Sequence, residues 1–421
     1  VTVREPARPS FLLALTALAA ALGCDPRAAA PGGDTGTAAS ATVTPGPSSA
    51  APRRSTVGPR GAPASAGASA ATPATSAAVA PAPLPATELA RLFRDLSEPG
   101  EHFLSDNTVS NETSYLQVAP ILAARPGGGA YVGVGPEQNL TYIALTAPQL
   151  AFVVDIRRDN ALLHLLYRAL FERAGSRAEF VALLLGRPYV AAGDPEAAGA
   201  VEAVLAHATQ QAPDPHHQAT IHGAAWTFLT RELGLPLSEA DRTRLAAIHQ
   251  LFYQGQLELR FTLHEPSGRR YPSLRELLTT RDTAGEATGF LGTHAAFARV
   301  RDLERANRVI PVVGDFAGRK ALAGIAAELR AYHLPVATFY VSNVEQYLFD
   351  PDRWPRWIEN VAGLPARSDA VFVRAYLDQG RAHPAQLAGH RTTTLVQPLA
   401  RLLERQRSRP YTTFWEVVTD A

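Results

Sequence analysis

Two glycines and an acid carry the first chemical signal. Gly133 and Gly135 lie in Tyr131-Val132-Gly133-Val134-Gly135-Pro136-Glu137-Gln138-Asn139, where a short apolar run breaks into a glycine turn. Such a turn lets backbone amides come close to a polar ligand at the start of a helix. Glu137 and Asn139 stand in the same passage as further candidates to hold a cofactor. Asp155 closes the apolar run from Leu150 to Val154 and follows Gly133 by 22 residues. That is near the ~20 residues at which a carboxylate meets ribose hydroxyls. Two later apolar runs also end in polar groups: Val309 to Val313 in Gly314-Asp315, and Val336 to Val341 in Ser342-Asn343-Val344-Glu345. Parallel strands would bring all four tips to one edge of a sheet, where such folds bind ligands. Each signal also has a structural reading. Degenerate glycine turns occur in proteins that bind nothing, Asp155 would pair with Arg157 or Arg158, and Asn343 with Glu345 would begin the next helix. Both readings stay open on these residues.

Other polar residues are less pointed. The run Ser105 to Glu112 is too polar for a core loop, so Asn107, Asn111 and Glu112 would cap the rim or touch a ligand there, beside Arg157. His216, His217 and His222 are close in sequence, but His217 and His222 are five apart, whereas metal-binding helices prefer i,i+4. With Cys24 the sole cysteine, no metal site is expected. There is no Gly-x-Ser-x-Gly elbow and no phosphate-binding Gly-x-x-x-x-Gly-Lys-Ser/Thr. Lys320, the sole lysine, follows the glycine loop after Val313 and would face an anion at a helix start.

The elements that must position these residues alternate. Glu88 to Leu96 reads as an amphipathic helix, Thr113 to Ala123 as another, and Ala130 to Val134 as a strand. The strand from Leu150 is followed by a helix from about Asn160 to Ala174. Residues 176–306 read as a mainly helical insertion. Within it, Asp194-Pro195 is expected to start a helix, Ser238 and Ser273 open helices with capping-box spacing, and Leu257 to Leu263 alternates as a strand would. A helix from His294 to Arg305 leads back to strands at Val309–Val313, Val336–Val341 and Val371–Ala375, with a helix from Lys320 to Tyr332 among them. Five strands at this spacing imply an α/β fold with a doubly wound, mostly parallel sheet, interrupted once by the helical insertion.

The order Gly133-Val134-Gly135, Asp155, Gly314-Asp315 and Ser342-Asn343 resembles a class I S-adenosylmethionine-dependent methyltransferase core. The resemblance implies that Gly133 and Gly135 hold the methionine end of S-adenosylmethionine and Asp155 the ribose. It further implies that Asp315 reads adenine, and that Asn343 with Glu345 faces the substrate as the catalytic candidates. Tyr131 replaces the family's usual acid, and Glu137 its third glycine. The stretch from Phe103 to Leu377 also resembles a group of bacterial chains, often lipoproteins, through Phe103-Leu104-Ser105-Asp106-Asn107, Gly133 to Asn139, Val154-Asp155-Ile156-Arg157-Arg158 and Ser342 to Leu348. That second likeness brings no activity with it.

The first quarter reads as an address and a tether. Arg4 and Arg8, an uncharged run from Phe11 to Leu22, and Ala21-Leu22-Gly23-Cys24 resemble a bacterial lipoprotein signal over residues 1–24. In that family the cysteine is acylated, which implies a lipid anchor on Cys24 and a place in the cell envelope, facing periplasm or cell surface. The family's usual leucine three residues before the cysteine is Ala21 here. Residues 25–85 are Ala, Pro, Ser, Thr and Gly with few large apolar side chains, a composition that does not build a core. The folded part is therefore expected over 86–421. With 40 Lys+Arg against 39 Asp+Glu the net charge is +1, which argues against a general nucleic-acid binder. The address and the cofactor conflict, because S-adenosylmethionine is made inside the cell. The expectation is an envelope-anchored lipoprotein whose methyltransferase-like domain binds a small polar or nucleoside-type ligand. The alternatives are an active methyltransferase and a surface interaction protein with a vestigial pocket.

Overall fold

A computed structural model describes residues 82–265, 268–378 and 380–420. The expected leader, Cys24 and nearly all of the expected linker fall outside them. The chain begins with helix α1 (Ala86–Leu96), a 3-10 turn (Tyr115–Val118) and α2 (Ala119–Ala123), then β1 (Ala130–Gly133), α3 (Gln138–Thr146), β2 (Leu150–Asp155) and α4 (Arg158–Arg173). The insertion follows with α5 (Arg177–Leu184), α6 (Val201–Ala208), α7 (Pro215–Thr227), α8 (Glu239–Gly255) and α9 (Leu274–Leu278), and α10 (His294–Arg305) returns to the sheet. The rest is β3 (Val309–Val313), α11 (Ala321–Ala331), β4 (Val336–Ser342), α12 (Val344–Leu348), α13 (Arg353–Gly363), β5 (Ala366–Leu377), β6 (Thr392–Pro398), α14 (Leu399–Ser408) and α15 (Phe414–Thr419).

The strands form one sheet in the order β3-β2-β1-β4-β5-β6. The first five are parallel and β6 runs antiparallel to β5. β1, β2 and β3 are buried along their whole length, as expected of parallel strands covered on both faces. Their apolar runs therefore do not alternate. The insertion adds to the same core: Phe171 of α4 stacks on Phe180 of α5 at 4.3 Å between ring centres, and Phe297 of α10 packs on both.

Four local expectations need correction. Asp194-Pro195 starts no helix; α6 begins at Val201. Asp194 accepts from Ser176 and Tyr189 hydroxyls, and the buried Arg177 guanidinium gathers the carbonyls of Pro195, Glu196 and Gly199. Leu257–Leu263 is a 3-10 turn at Gln256–Glu258 followed by isolated bridges, Arg260 to Ser273 and Ser105 to Leu263. Alternation made it strand-like, but no neighbouring strand runs alongside it. Thr113–Ala123 splits because Pro120 sits in the first turn of α2, where a missing N–H is tolerated. Finally, β6 escapes the count because Thr392-Thr393-Thr394 looks like a loop. It is buried because Ser114 bonds the Thr392 and Thr394 hydroxyls and Gln117 accepts from Thr394 N–H.

The edge that matters is shaped by Glu98, just after α1. Its carboxylate accepts from the backbone N–H groups of Asp315, Lys320 and Ala321 at 2.9–3.2 Å. A side chain of the protein thus occupies the amide cradle at the start of α11, and Lys320 Nζ donates to the Ser97 carbonyl. At the opposite edge Leu84 N–H donates to Ala306 O, and Arg308 donates to Ala82 O. The domain therefore holds the last residues of the expected linker.

Glu304 of α10 supplies a test of this core. Both its carboxylate oxygens are buried and unbonded. Burial raises its pKa to about 8, against the pull of the Arg168 guanidinium. Its neutral form fits the fold, so stability is full below pH 4.5 and is lost as pH rises through about 8. Glu304→Gln is expected to match the parent at pH 4 and exceed it at pH 9 by on the order of 1–4 kcal/mol in urea unfolding.

Candidate functional site

The glycine turn is held by one amide. Asn139 Nδ2 donates to the carbonyls of Val134, Gly135 and Pro136 at 2.8–2.9 Å, and Oδ1 accepts from Tyr131 OH at 2.9 Å. A Cβ on Gly133 would lie 2.0 Å from Asn139 Oδ1, so glycine is required there. Gly135 has φ +82 and is buried, yet a Cβ on it would meet nothing within 4 Å. The turn therefore borders a space inside the protein. Asn139 is its clamp, with every polar atom of the amide bonded.

Helix α4 supplies the next wall. His164 Nε2 lies 2.9 Å from the Gly135 carbonyl, which can only accept, so this nitrogen carries the proton. Burial lowers the ring's pKa to about 4, leaving it neutral near pH 7 with Nδ1 as an acceptor. That Nδ1 is buried and unbonded. Asn160 lies one turn earlier on the same helix face. Its Oδ1 and Nδ2 are likewise buried without partners, and its residue is 2% exposed. Buried polar groups are nearly always satisfied, so three unpartnered atoms on one helix face, next to the His164 contact with the glycine turn, stand out.

Two acids stand on the other side. Glu137 accepts from Ser110 N–H at 3.1 Å through Oε1. Glu112 Oε1 lies 3.0 Å from Tyr340 OH and accepts from Ser342 Oγ, while Gln138 Nε2 donates to the Glu112 carbonyl. The Oε2 atom of each acid is buried and unbonded. Burial raises both pKa values to about 7, and the Glu112 charge adds to the rise at Glu137. Ser342 ends β4 at φ +51, a left-handed conformation that costs a non-glycine residue energy and aims its hydroxyl at Glu112.

The remaining candidates divide. Gly133, Asp155, Asp315 and Ser342 do come to the carboxyl ends of β1, β2, β3 and β4, four neighbours in the sheet. Asp155 is clasped by Arg157: Oδ1 accepts the backbone N–H and Nε, and Oδ2 accepts Nη2 at 2.8 Å. Arg157 also donates to the Asp106 carbonyl. Asp315 caps its own loop at Ala317 N–H and pairs with Arg353 at 3.0 Å. Asn343 is half-buried beside the Ser342 hydroxyl. Glu345 points away into the core, locked to Arg374 and to Trp357 Nε1. Asn107 (φ +42) accepts from Ser105 Oγ within its loop, and Asn111 is half-buried next to Glu112.

Sequence reasoning missed Asn160, His164, Gln138 and Tyr340. The signal was present: polar residues four apart on a helix otherwise rich in leucine. The histidines that drew attention, His216, His217 and His222, all lie on α7 in the insertion. Among the described residues no three His, Cys, Asp or Glu side chains group as metal ligands.

The chain belongs to the family described as a domain of unknown function, DUF7790, which matches residues 107–418. No curated protein matches it. The family match begins in the polar loop that carries Asn107 and runs through the antiparallel edge, so it includes every residue of the site.

The Glu345–Arg374 pair gives this assignment a direct check. Glu345→Ala leaves a buried guanidinium unpaired and is expected to cost about 3–5 kcal/mol in urea unfolding. Asn343→Ala, on the rim, is expected to cost less than ~1 kcal/mol.

Proposed function

We propose that this domain binds a small polar ligand of nucleoside type at the carboxyl edge of β1, β2 and β4, in the manner of a methyltransferase-like fold. One observation carries the reading: the flank of Gly135 is open, His164 reaches the turn through the Gly135 carbonyl, and its Nδ1 and the amide of Asn160, one helical turn away, are buried without partners. A strand order of 3-2-1-4-5-6 supports it, since doubly wound sheets of this order take ligands where the order reverses, between β1 and β4.

S-adenosylmethionine suits this donor set. The Gly135 turn and Asn160 would hold its polar groups, and Asp155 Oδ2 keeps a lone pair for a ribose hydroxyl. When bound, that cofactor supplies an electrophilic methyl group. The chain's own residues favour binding over transfer: Glu345 is tied up in an ion pair, which leaves Asn343, with no basic side-chain atom, as the rim residue after β4. A lipid anchor at Cys24 and an envelope location belong to this proposal as its setting, and they too favour a binding protein over an enzyme supplied with a cytosolic donor. Among the described residues no helix is long and apolar enough to cross a membrane.

Calorimetric titration with S-adenosylmethionine, its demethylated product and adenosine tests the reading. Saturable binding is expected for at least one of them, weakened about tenfold or more by Asn160→Leu and by Asp155→Ala, the loss of roughly one buried hydrogen bond each. Silence across the panel would overturn it in favour of an interaction protein.

A further inference from the structure

The acids beside the glycine turn differ from the ion-paired buried acids of this protein. Glu345 has Arg374, Asp155 has Arg157 and Asp241 has Arg158. Among the described residues Glu112 and Glu137 form no ion pair. Their neighbours are tyrosines: Tyr131, Tyr142 and Tyr340 feel the Glu112 charge, and Tyr115 and Tyr167 that of Glu137. All five are buried. Buried carboxylates with hydroxyl neighbours, such as Tyr340 OH at 3.0 Å from Glu112, and no cation to neutralise them are chemistry that recognises ammonium groups through charge and hydrogen bonds.

We infer that Glu112 and Glu137 form a subsite for the ammonium head of a primary amine. Three observations carry this. Each acid keeps one buried oxygen without a partner. Glu137 also lines a recess of about 10 Å³, room for about one water-sized group; an –NH₃⁺ head fits it and a trimethylammonium head does not. The opposite wall is apolar, made by Leu277, Leu278, Phe290 and Leu291 of the insertion, which suits an alkyl chain. Calcium or magnesium would want about six oxygens or more, and the recess is lined largely by hydrocarbon. The insertion is pinned over the recess by Tyr115 OH, which donates to Leu277 O, and by Thr141 Oγ1, which accepts from Phe290 N–H. These two contacts must open to admit the amine.

The inference rests on reading this edge as a ligand site and adds the chemistry of one end of it. The test is titration of the full chain at pH 8.5 with n-butylammonium chloride, against tetramethylammonium chloride and potassium chloride, followed by thermal shift and calorimetry. Saturable binding of butylammonium alone is expected, at least tenfold weaker in Glu137→Gln and in Glu112→Gln and unchanged in Glu304→Gln. Binding should also weaken in the parent protein as pH falls from 8.5 to 5.5, because protons compete for the same oxygens; this arm needs no variant to fold. Potassium matching butylammonium, unaltered affinity in a folded Glu137→Gln, or no saturation at 100 mM amine would each overturn it. Nucleoside binding without amine binding would sink this inference alone; amine binding without nucleoside binding would sink the nucleoside reading and leave the amine subsite standing.

Discussion

Asn139 is the contact on which the candidate site depends. Its amide gathers three successive carbonyls of the Val134-Gly135-Pro136 turn and takes the Tyr131 hydroxyl on its other side. The turn is thereby fixed with Gly135 left-handed and its flank open. His164 reads the same turn from α4, bonding the Gly135 carbonyl. Glu137 and Gln138 follow directly along the chain, so their positions against Ser110 and Tyr340 are inherited from the clamp. Without it, the polar atoms of α3, α4 and β4 would have no common reference.

Around this clamp the molecule separates two kinds of buried polarity. One kind is held by protein partners: Asp155 is clasped by Arg157, Glu345 is paired with Arg374, and Glu98 sits in the amide cradle at α11. Such pairs fix loops and helix starts, and their removal leaves an uncompensated charge. The other kind is open: Asn160, His164, Glu112 and Glu137 keep atoms without partners. Other buried atoms without partners, among them those of Glu304, His249, Asp194 and Thr393, are scattered through the rest of the domain, while these four stand on the segments around the glycine turn. Leaving them unsatisfied costs stability, a cost that a ligand would offset on binding.

The sequence made the sheet legible where strands were continuous apolar runs, from Ala130 to Val341, because burial on both faces leaves no alternation to confuse. It was opaque at Thr392–Pro398, where a buried strand is built of threonines satisfied by Ser114, a partner 278 residues away. The rim was half legible. Glycines and strand-end acids announce themselves by spacing, so Gly135, Asp155 and Asp315 were read at the carboxyl ends of the strands, where the sheet places them. Which acid is free and which is clasped depends on side-chain pairing across the fold, and spacing holds no trace of that. Asn160 and His164 hid because polar residues on a buried helix face and polar residues on a solvent-facing one look alike until the helix is seen buried.

The central claim is that Asn160 and His164 face a ligand across Gly135. A high-resolution crystal structure of the protein soaked with adenosine and S-adenosylmethionine tests it most directly. The account predicts density for a bound molecule within hydrogen-bonding distance of the Asn160 side chain and His164 Nδ1. Those same atoms satisfied by ordered water alone, with the space at Gly135 closed by packed side chains, would contradict it.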